Sequence, residues 1–287
     1  MNHVGFNITE SKLQLVEVVE NSQNYFLESV DEETFPELLN FQYSGFSDIL
    51  QTALDNLNKR SRLKSSRASV ALPFDLFRIF SFPFEISIEN GQLQEQIEWE
   101  FSILFPTLSF NDHIVRKKKI LKGINSYPEI FAMAIDKKIV KSLHEFLIEN
   151  SLSLVFVDNA HFTSDLMINK NNSISVYKSE NATTCCSYAN NELIGFRKFD
   201  PSNNSTLIEY VSNSMSQIDF ELNNFFISGD VEFETLQREL ENSLKINFNL
   251  INPFSHIQYS KSFIQNDHFI NRAALFSSAS GICFRKS

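Results

Sequence analysis

The sequence predicts an α/β protein that is made of two similar halves. Two stretches about half a chain apart, residues 3–18 and 173–188, each contain an alternating run of apolar and polar residues, a short polar turn and a second alternating run. This pattern is typical of a half-buried β-hairpin. Strand-like and helix-like segments alternate elsewhere, which favours helices layered on sheets. With 287 residues, 43% of them hydrophobic and 29 of them Phe, the chain can fill two cores.

The first half continues from its hairpin through mixed elements. A third strand is expected near residues 25–29, and a helix with an irregular first part over residues 34–57, because apolar residues follow helical spacing around Gly45. The basic connector at residues 59–67 is interpreted as a solvated loop rather than a phosphate or lipid contact. The other predicted elements are strands over residues 68–72, 78–82, 113–121, 130–135 and 152–157, and amphipathic helices over residues 93–105 and 137–150.

The second half repeats this order in shorter form. A third strand, residues 193–199, follows the second hairpin. The later elements are predicted helices over residues 206–220, 233–244 and 269–279, and predicted strands over residues 224–227, 246–250 and 281–285. The order of strand triplet, helix, strand and helix therefore occurs twice, as expected for a duplicated fold.

Charge and composition exclude several classes of function. A net charge of −10 opposes general binding to nucleic acid or an anionic membrane, because such surfaces need an excess of Lys and Arg. No apolar run approaches the roughly 18 residues of a membrane span, and the N-terminus lacks the pattern of a signal peptide. A cytoplasmic protein is expected. Cys185, Cys186 and Cys283 lack the spacing of a zinc site or a disulfide framework, so they are predicted to be core residues.

Short motifs along nearly the whole chain resemble the type IV pilus assembly protein PilM. The quoted segments are Val4-Gly5-Phe6-Asn7-Ile8, Lys12-Leu13-Gln14-Leu15-Val16-Glu17, Val70-Ala71-Leu72-Pro73 with Arg78 and Phe82-Pro83, Ile97-Glu98-Trp99-Glu100, Phe105-Pro106, Gly195-Phe196-Arg197, Phe226-Ile227-Ser228-Gly229, Asn252-Pro253-Phe254 and Gly281-Ile282-Cys283-Phe284-Arg285. They occur in the family's order.

This resemblance implies an actin-like, ribonuclease H-like duplicated fold with two α/β halves around a cleft. The first half would span residues 1–165 and the second residues 166–287. An inserted subdomain like that of the cell-division protein FtsA would occupy about residues 78–130, because this segment interrupts the first half with elements that the second half lacks. In active relatives ATP lies in the cleft, and glycine-containing hairpin turns let backbone N–H groups approach its phosphates.

Both turns depart from the family pattern. The resemblance places Asn7, Thr9 and Glu10 where such proteins have an aspartate, a glycine and a small residue, and it places Lys178 and Ser179 in the second turn. The late glycine pair is replaced by Gly229-Asp230. A carboxylate facing a triphosphate in a partly desolvated cleft costs on the order of several kcal/mol. We therefore expect a pseudo-ATPase with no cofactor, metal or catalytic residue, and interpret Gly5, Gly195 and Gly229 as turn residues.

Other motifs offer little chemistry. The six His residues are scattered and form no HExxH pattern, and the chain has no GxSxG or Walker motif. Asp158 and Asp165 bracket His161 after a predicted strand, a position where α/β sites often form, although a polar loop explains them equally well. The basic run at residues 116–119 is compatible with a docking patch or with ordinary solvent exposure of alternate residues.

The resemblance implies a cytoplasmic adaptor that reaches the inner membrane through a partner. The partner would be a protein or peptide, such as the cytoplasmic tail of an inner-membrane protein, taken by strand addition or in a groove near the insert. Arg78, Phe80 and Trp99 are candidate groove residues, although Trp99 also fits a core position. The chain's net charge favours a basic tail. The alternatives are an ATPase with an unusual cleft and a polymerising FtsA-like protein, the latter disfavoured because no amphipathic tail follows the last predicted strand.

Overall fold

The strands and helices occur in the predicted alternation. The structure, a computed structural model, describes residues 2–21, 24–41, 45–121, 127–217, 222, 224–255, 257–261, 263 and 267–285. The strands are β1 (Asn2–Ile8), β2 (Lys12–Asn21), β3 (Asn24–Thr34), β4 (Arg67–Leu72), β5 (Phe77–Pro83), β6 (His113–Ile120), β7 (Glu129–Asp136), β8 (Ser153–Asn159), β9 (Ser173–Lys178), β10 (Thr183–Ala189), β11 (Glu192–Phe199), β12 (Asn224–Gly229), β13 (Asn249–Leu250) and β14 (Gln258–Tyr259). The α-helices are α1 (Phe46–Arg60), α2 (Asn90–Leu104), α3 (Lys137–Glu149), α4 (Ala160–Ser164), α5 (Asn204–Gln217), α6 (Glu234–Leu244), α7 (Asp267–Asn271) and α8 (Ser277–Cys283).

The first sheet has the strand order β14-β3-β2-β1-β4-β8. The predicted hairpin pairs β1 with β2 antiparallel, and β4 and β8 then add in parallel. The core on one face includes Leu50, Leu54 and Leu57 of α1 together with Leu143 and Leu147 of α3. Their three- and four-residue spacing places them on one side of each helix.

The helix predicted over residues 34–57 begins only at Phe46. Its expected first part is attached to the first hairpin turn instead: the backbone N–H of Phe35 donates to the carbonyl of Ser11, and that of Leu39 donates to the carbonyl of Glu10, both at 2.7 Å. These two N–H groups therefore cannot form the i to i−4 hydrogen bonds of an α-helix. The apolar spacing reflects residues that pack beside the turn.

A separate three-stranded sheet, of order β5-β7-β6, lies between β4 and α3 in the chain. Helix α2 covers one of its faces through Leu93, Ile97 and Phe101, which are fully buried. On the other face, Phe131 of β7 packs in a cluster with Tyr188 and Leu193 of the second sheet. We call the segment from β5 to β7 the insert; its predicted limits, residues 78–130, fall a few residues inside the ends of this sheet.

The second sheet has the order β11-β10-β9-β12-β13, in which β9 and β10 form the second predicted hairpin and β12 pairs with β9 in parallel. Of the strand predicted over residues 246–250, only β13 forms. The predicted helix over residues 206–220 is described as α5, and its last three residues lie outside the described part of the chain.

The predicted last strand, residues 281–285, is wrong, because this segment is the end of helix α8. The helix is rich in small residues, and its backbone lies directly on β1 and α4. A Cβ on Gly281 would come within 1.8 Å of the carbonyl oxygen of Thr163, and a Cβ on Gly5 within 2.0 Å of that of Ala279. Close backbone contact, rather than apolar alternation, therefore determines the structure of this segment.

The last part of the chain lies against the first sheet. Strand β14 pairs with β3, and α8 packs on β1, β2 and β4. The division into halves near residue 165 stays a prediction. No helix among the described residues has the length and apolar character needed to cross a membrane.

Candidate functional site

The two hairpin turns meet across the space between the first and second sheets. The hydroxyl of Ser11, in the first turn, donates to the carboxylate of Glu180 in the second. Thr9 closes the first turn, since its hydroxyl oxygen accepts from the backbone N–H groups of Ser11 (3.2 Å) and Lys12 (3.1 Å). Ser179 closes the second through its N–H, which donates to the carbonyl of Ala182 (2.8 Å). The two turns are therefore hydrogen-bonded to each other, and each turn is also closed by hydrogen bonds within itself.

Polar side chains fill the space behind these turns. The amide of Asn7 donates to Gln14 Oε1 (2.9 Å), and the hydroxyl of Tyr177 donates to Asp230 Oδ2 (3.3 Å). The hydroxyl of Ser278 lies 2.9 Å from that of Tyr177. One cavity beside this network, lined by residues that include Tyr177, Ser179 and Asp230, has a volume of about 10 Å³. That is about the space of one water molecule.

Asp230 is buried in this region without a cation in direct contact among the described residues. Burial raises the pKa of its carboxyl from 3.8 to about 7; nearby Lys12 opposes the shift and Glu180 adds to it. Gly229 is the last residue of β12, opposite Lys178, whereas Gly5 and Gly195 lie within strands and are not turn residues. A Cβ on Gly229 would come within 2.3 Å of the Lys178 carbonyl oxygen, so close backbone contact explains Gly229 as it explains Gly5.

His161 forms a second buried network. Its ring nitrogens lie 2.9 Å from the hydroxyl of Ser175 and 2.7 Å from that of Thr184, and burial lowers its pKa. Asp165 accepts hydrogen bonds from Ser175 (2.7 Å) and from Tyr188 (2.6 Å). Burial therefore favours the uncharged imidazole of His161, while Asp165, whose Oδ2 lies 3.5 Å from His161 Nε2, favours the charged form.

His161, Asp165 and Cys186 have potential ligand atoms within 4.8 Å of one another. Hydroxyl groups already bind the His and Asp atoms, and burial raises the pKa of the Cys186 thiol well above its ordinary value. A metal would have to displace these bonds, and also the proton of a buried thiol whose pKa is raised. The cluster is better described as a polar core network than as a metal site.

An open groove runs between the first sheet and the insert. Four consecutive residues of β8, residues 154–157, line a cavity of about 220 Å³, together with Ile114 and Arg116 of β6 and Met133 and Ile135 of β7. Side chains of a strand alternate between its two faces, so consecutive lining residues mean that the edge of β8 faces the groove. On that side, β8 pairs with no strand in the described part of the sheet.

A second cavity of about 320 Å³ adjoins the groove, because Arg116 and Met133 line both. Asp158, at the end of β8, is buried where the cavities adjoin. Its Oδ2 lies 3.5 Å from Arg116 Nη1 and 3.1 Å from Arg285 Nη2. This carboxylate therefore joins the insert and the segment after α8 to the first sheet.

The three predicted groove residues lie in different places. Phe80 is buried in the core between α2 and the insert sheet, so its side chain is not placed to contact a partner as predicted. Trp99 lies on the outer face of α2 and is 59% exposed, which excludes the core alternative. Arg78 lines a separate cavity of about 300 Å³, where its Nη1 donates to the carbonyl of Asp75 (3.3 Å).

The sequence did not identify Ile114 or the edge of β8 as site residues. Residues 154–157, Leu-Val-Phe-Val, predict a strand that is buried on both sides. In the sequence, Ile114 is one of two apolar residues before the basic run at residues 116–119, and nothing there shows that its side chain is 41% exposed. Ile114 and residues 154–157 come together only because the insert lies beside β8 in the folded protein.

Comparisons with known proteins establish the fold. No protein-family model matches the chain. No curated protein matches it in sequence. Among solved structures, it is similar to a PilM-PilN type IV pilus biogenesis complex, with a TM-score of 0.72, 14% identity, and coverage of 98% of this chain and 97% of that chain.

Two further structures are similar over nearly the full length. One is the cytoplasmic domain of EpsL, an inner membrane component of the type II secretion system of Vibrio cholerae, with a TM-score of 0.54, 8% identity, and coverage of 100% of this chain and 96% of that chain. The other is the ethanolamine utilization protein EutJ from Carboxydothermus hydrogenoformans, with a TM-score of 0.54, 8% identity, and coverage of 99% and 89%. The chain thus has the actin-like fold in a PilM-like form, as the motifs predicted.

Proposed function

We propose that this protein is a non-catalytic, cytoplasmic actin-like adaptor that binds an extended segment of a partner protein along the edge of β8. The observation that carries the proposal is the contrast between two spaces. The cavity beside Tyr177 and Asp230 has a volume of about 10 Å³, whereas the groove beside β8 offers about 220 Å³. Small-molecule sites usually have volumes of about 300–1,000 Å³, so the former is far too small for a nucleotide.

Strand addition explains how the groove would bind. An added strand lies about 4.8 Å from its neighbour and hydrogen-bonds to the backbone N–H and C=O groups at the open edge. Its alternate side chains would enter the apolar groove between Met133 and Ile135 of β7 and Val140 of α3, which line it. The backbone bonds would provide affinity, and the apolar lining would select for side-chain size.

The similar structures support a membrane-associated context. One contains PilM with PilN of a pilus system, and another is the cytoplasmic domain of an inner-membrane secretion component. We therefore propose that the partner segment is a cytoplasmic tail of an inner-membrane protein in a pilus or secretion assembly. The adaptor would then reach the membrane through that partner.

The groove is tested by selecting binders from a displayed library of random 12-residue peptides and measuring the affinity of the enriched peptides by fluorescence anisotropy. Ile114→Arg places a long charged side chain in the groove and should weaken binding at least tenfold. Ile148→Arg is the matched control, because Ile148 is also exposed but lies on α3 outside the lining of the groove. Equal affinities for both variants, or no enriched peptide, would refute this binding site.

The closed cleft is tested by calorimetric titration of ATP with Mg²⁺, at concentrations that detect a dissociation constant of about 1 mM. We expect no heat and no rise in the melting temperature. Micromolar binding would refute the pseudo-ATPase part of the proposal, because it would require the contact between Ser11 and Glu180 to open.

A further inference from the structure

The second cavity of the groove has the opposite charge to the rest of the protein. Five cationic residues line it: Arg116, Lys117, Lys118, Lys170 and Arg285. Asp158 is the one carboxylate among its lining residues, while the whole chain has a net charge of −10. A local field of this sign attracts anions even though the protein as a whole repels them.

Internal ion pairs neutralise only part of this charge. Asp158 is shared by Arg116 and Arg285, and Lys118 pairs with Glu192 at the rim. Five cations against these two carboxylates leave an excess of three positive charges. Lys170 lies over the ring of Tyr188, 5.1 Å from its centre, so its ammonium group is held at the wall of the cavity.

Arg116 is placed to bind an incoming anion. Its side chain is 47% exposed, and its 3.5 Å contact with Asp158 is longer than the about 2.7–2.9 Å of a strong charge-assisted hydrogen bond. A guanidinium has five N–H donors, and this contact uses one of them. Because Arg116 lines both cavities, an anion bound to it would adjoin a segment paired with β8.

We propose that the partner segment carries a carboxylate, from an Asp or Glu side chain or a chain terminus, that binds in this cavity to Arg116 and its neighbouring lysines. The inference rests on the proposed function, since it assigns a charge to the same segment. An acidic partner segment replaces the basic tail that the net charge of the chain favoured, because a bound segment is attracted by the local charge of the cavity that it enters. The continuity of the cavity with the β8 edge favours a peptide carboxylate over a phosphate.

The test uses peptides enriched from the random library against the wild-type protein. We expect them to carry an acidic residue at a fixed distance from their apolar positions. Replacing that residue by Gln should weaken binding about 10-fold or more, and Arg116→Glu should weaken the acidic peptide about 100-fold, as expected for a like charge in a partly buried site. A Lys-substituted peptide should recover affinity for Arg116→Glu. Lys119→Glu is the control, because Lys119 lies on the same strand over the ring of Phe84 and does not line the cavity.

The outcomes separate this inference from the proposed function. Enriched peptides that lose affinity with Ile114→Arg but contain no acidic residue, or that ignore Arg116→Glu, would overturn the carboxylate site alone. Failure to enrich any peptide would overturn both. Vesicles of phosphatidylglycerol and inorganic phosphate are tested in parallel. If the vesicles or the phosphate bind in a way that depends on Arg116, and no acidic peptide is enriched, the cationic cavity binds a phosphate group and the inference is overturned.

Discussion

Replacing Asp230 by Asn should change how stability depends on pH. The carboxyl of Asp230 has a pKa of about 7 in the folded protein, against 3.8 ordinarily, chiefly because it is buried. Below about pH 3 the carboxyl is protonated in both the folded and the unfolded state. As pH rises toward 7 the unfolded chain loses this proton and the folded protein keeps it, so the free energy of unfolding falls. The full cost, about 4 kcal/mol, is present above pH 7.

About 2 to 3 kcal/mol of that cost develops between pH 5 and pH 8. For a chain of 287 residues this corresponds to about 4 °C in melting temperature. Asn cannot titrate, so Asp230→Asn should lack this fall, and its melting temperature should rise relative to wild type as pH increases from 5 to 8. Thermal unfolding followed by far-UV circular dichroism measures the difference. Asp112→Asn, at an exposed position, is the control for loss of one carboxylate. Parallel curves for wild type and Asp230→Asn would refute the reasoning.

Two further predictions concern packing. Gly281→Ala should lower the free energy of unfolding by about 1–3 kcal/mol or more, because the new Cβ would lie 1.8 Å from the Thr163 carbonyl oxygen. Gly91→Ala in α2 is the control: a Cβ there has no atom within 4 Å, so this variant should raise the free energy of unfolding by about 0.5–1 kcal/mol. Equal melting temperatures for the two variants would contradict the contact between Gly281 and Thr163. Cys185 and Cys186 should react slowly with Ellman's reagent at pH 8 in the folded protein and rapidly in guanidinium, because both thiols are buried and burial raises their pKa. Rapid reaction of either thiol in the folded protein would disprove its burial.

Periodicity was a good guide wherever one face of an element meets one core. The alternation in residues 3–18 and 173–188 predicted both hairpins, and the amphipathic pattern over residues 93–105 predicted helix α2, which buries Leu93, Ile97 and Phe101. It failed where a segment is defined by backbone contacts. Residues 35–41 bond to the first hairpin turn, and residues 281–283 belong to a helix of small residues under close contact from both sides.

The family resemblance predicted the fold and the degenerate turns, but it could not predict how the space behind those turns is filled. The loss of glycine at Thr9 and the change to Glu10 could be read directly. That Tyr177, Asp230 and Ser278 occupy the space between the sheets depends on residues about 50 to 100 positions apart in the chain.

The sequence by itself determined the α/β alternation and the two hairpins, because these depend on neighbouring residues and on local turn chemistry. Only the tertiary structure decided that the turns touch through Ser11 and Glu180, that Trp99 faces outward, and that β8 lies with an open edge beside the insert. The physical reason is that edges and grooves belong to pairs of elements. Ile114, Arg116 and Asp158 form one site only because the insert folds back over the first sheet.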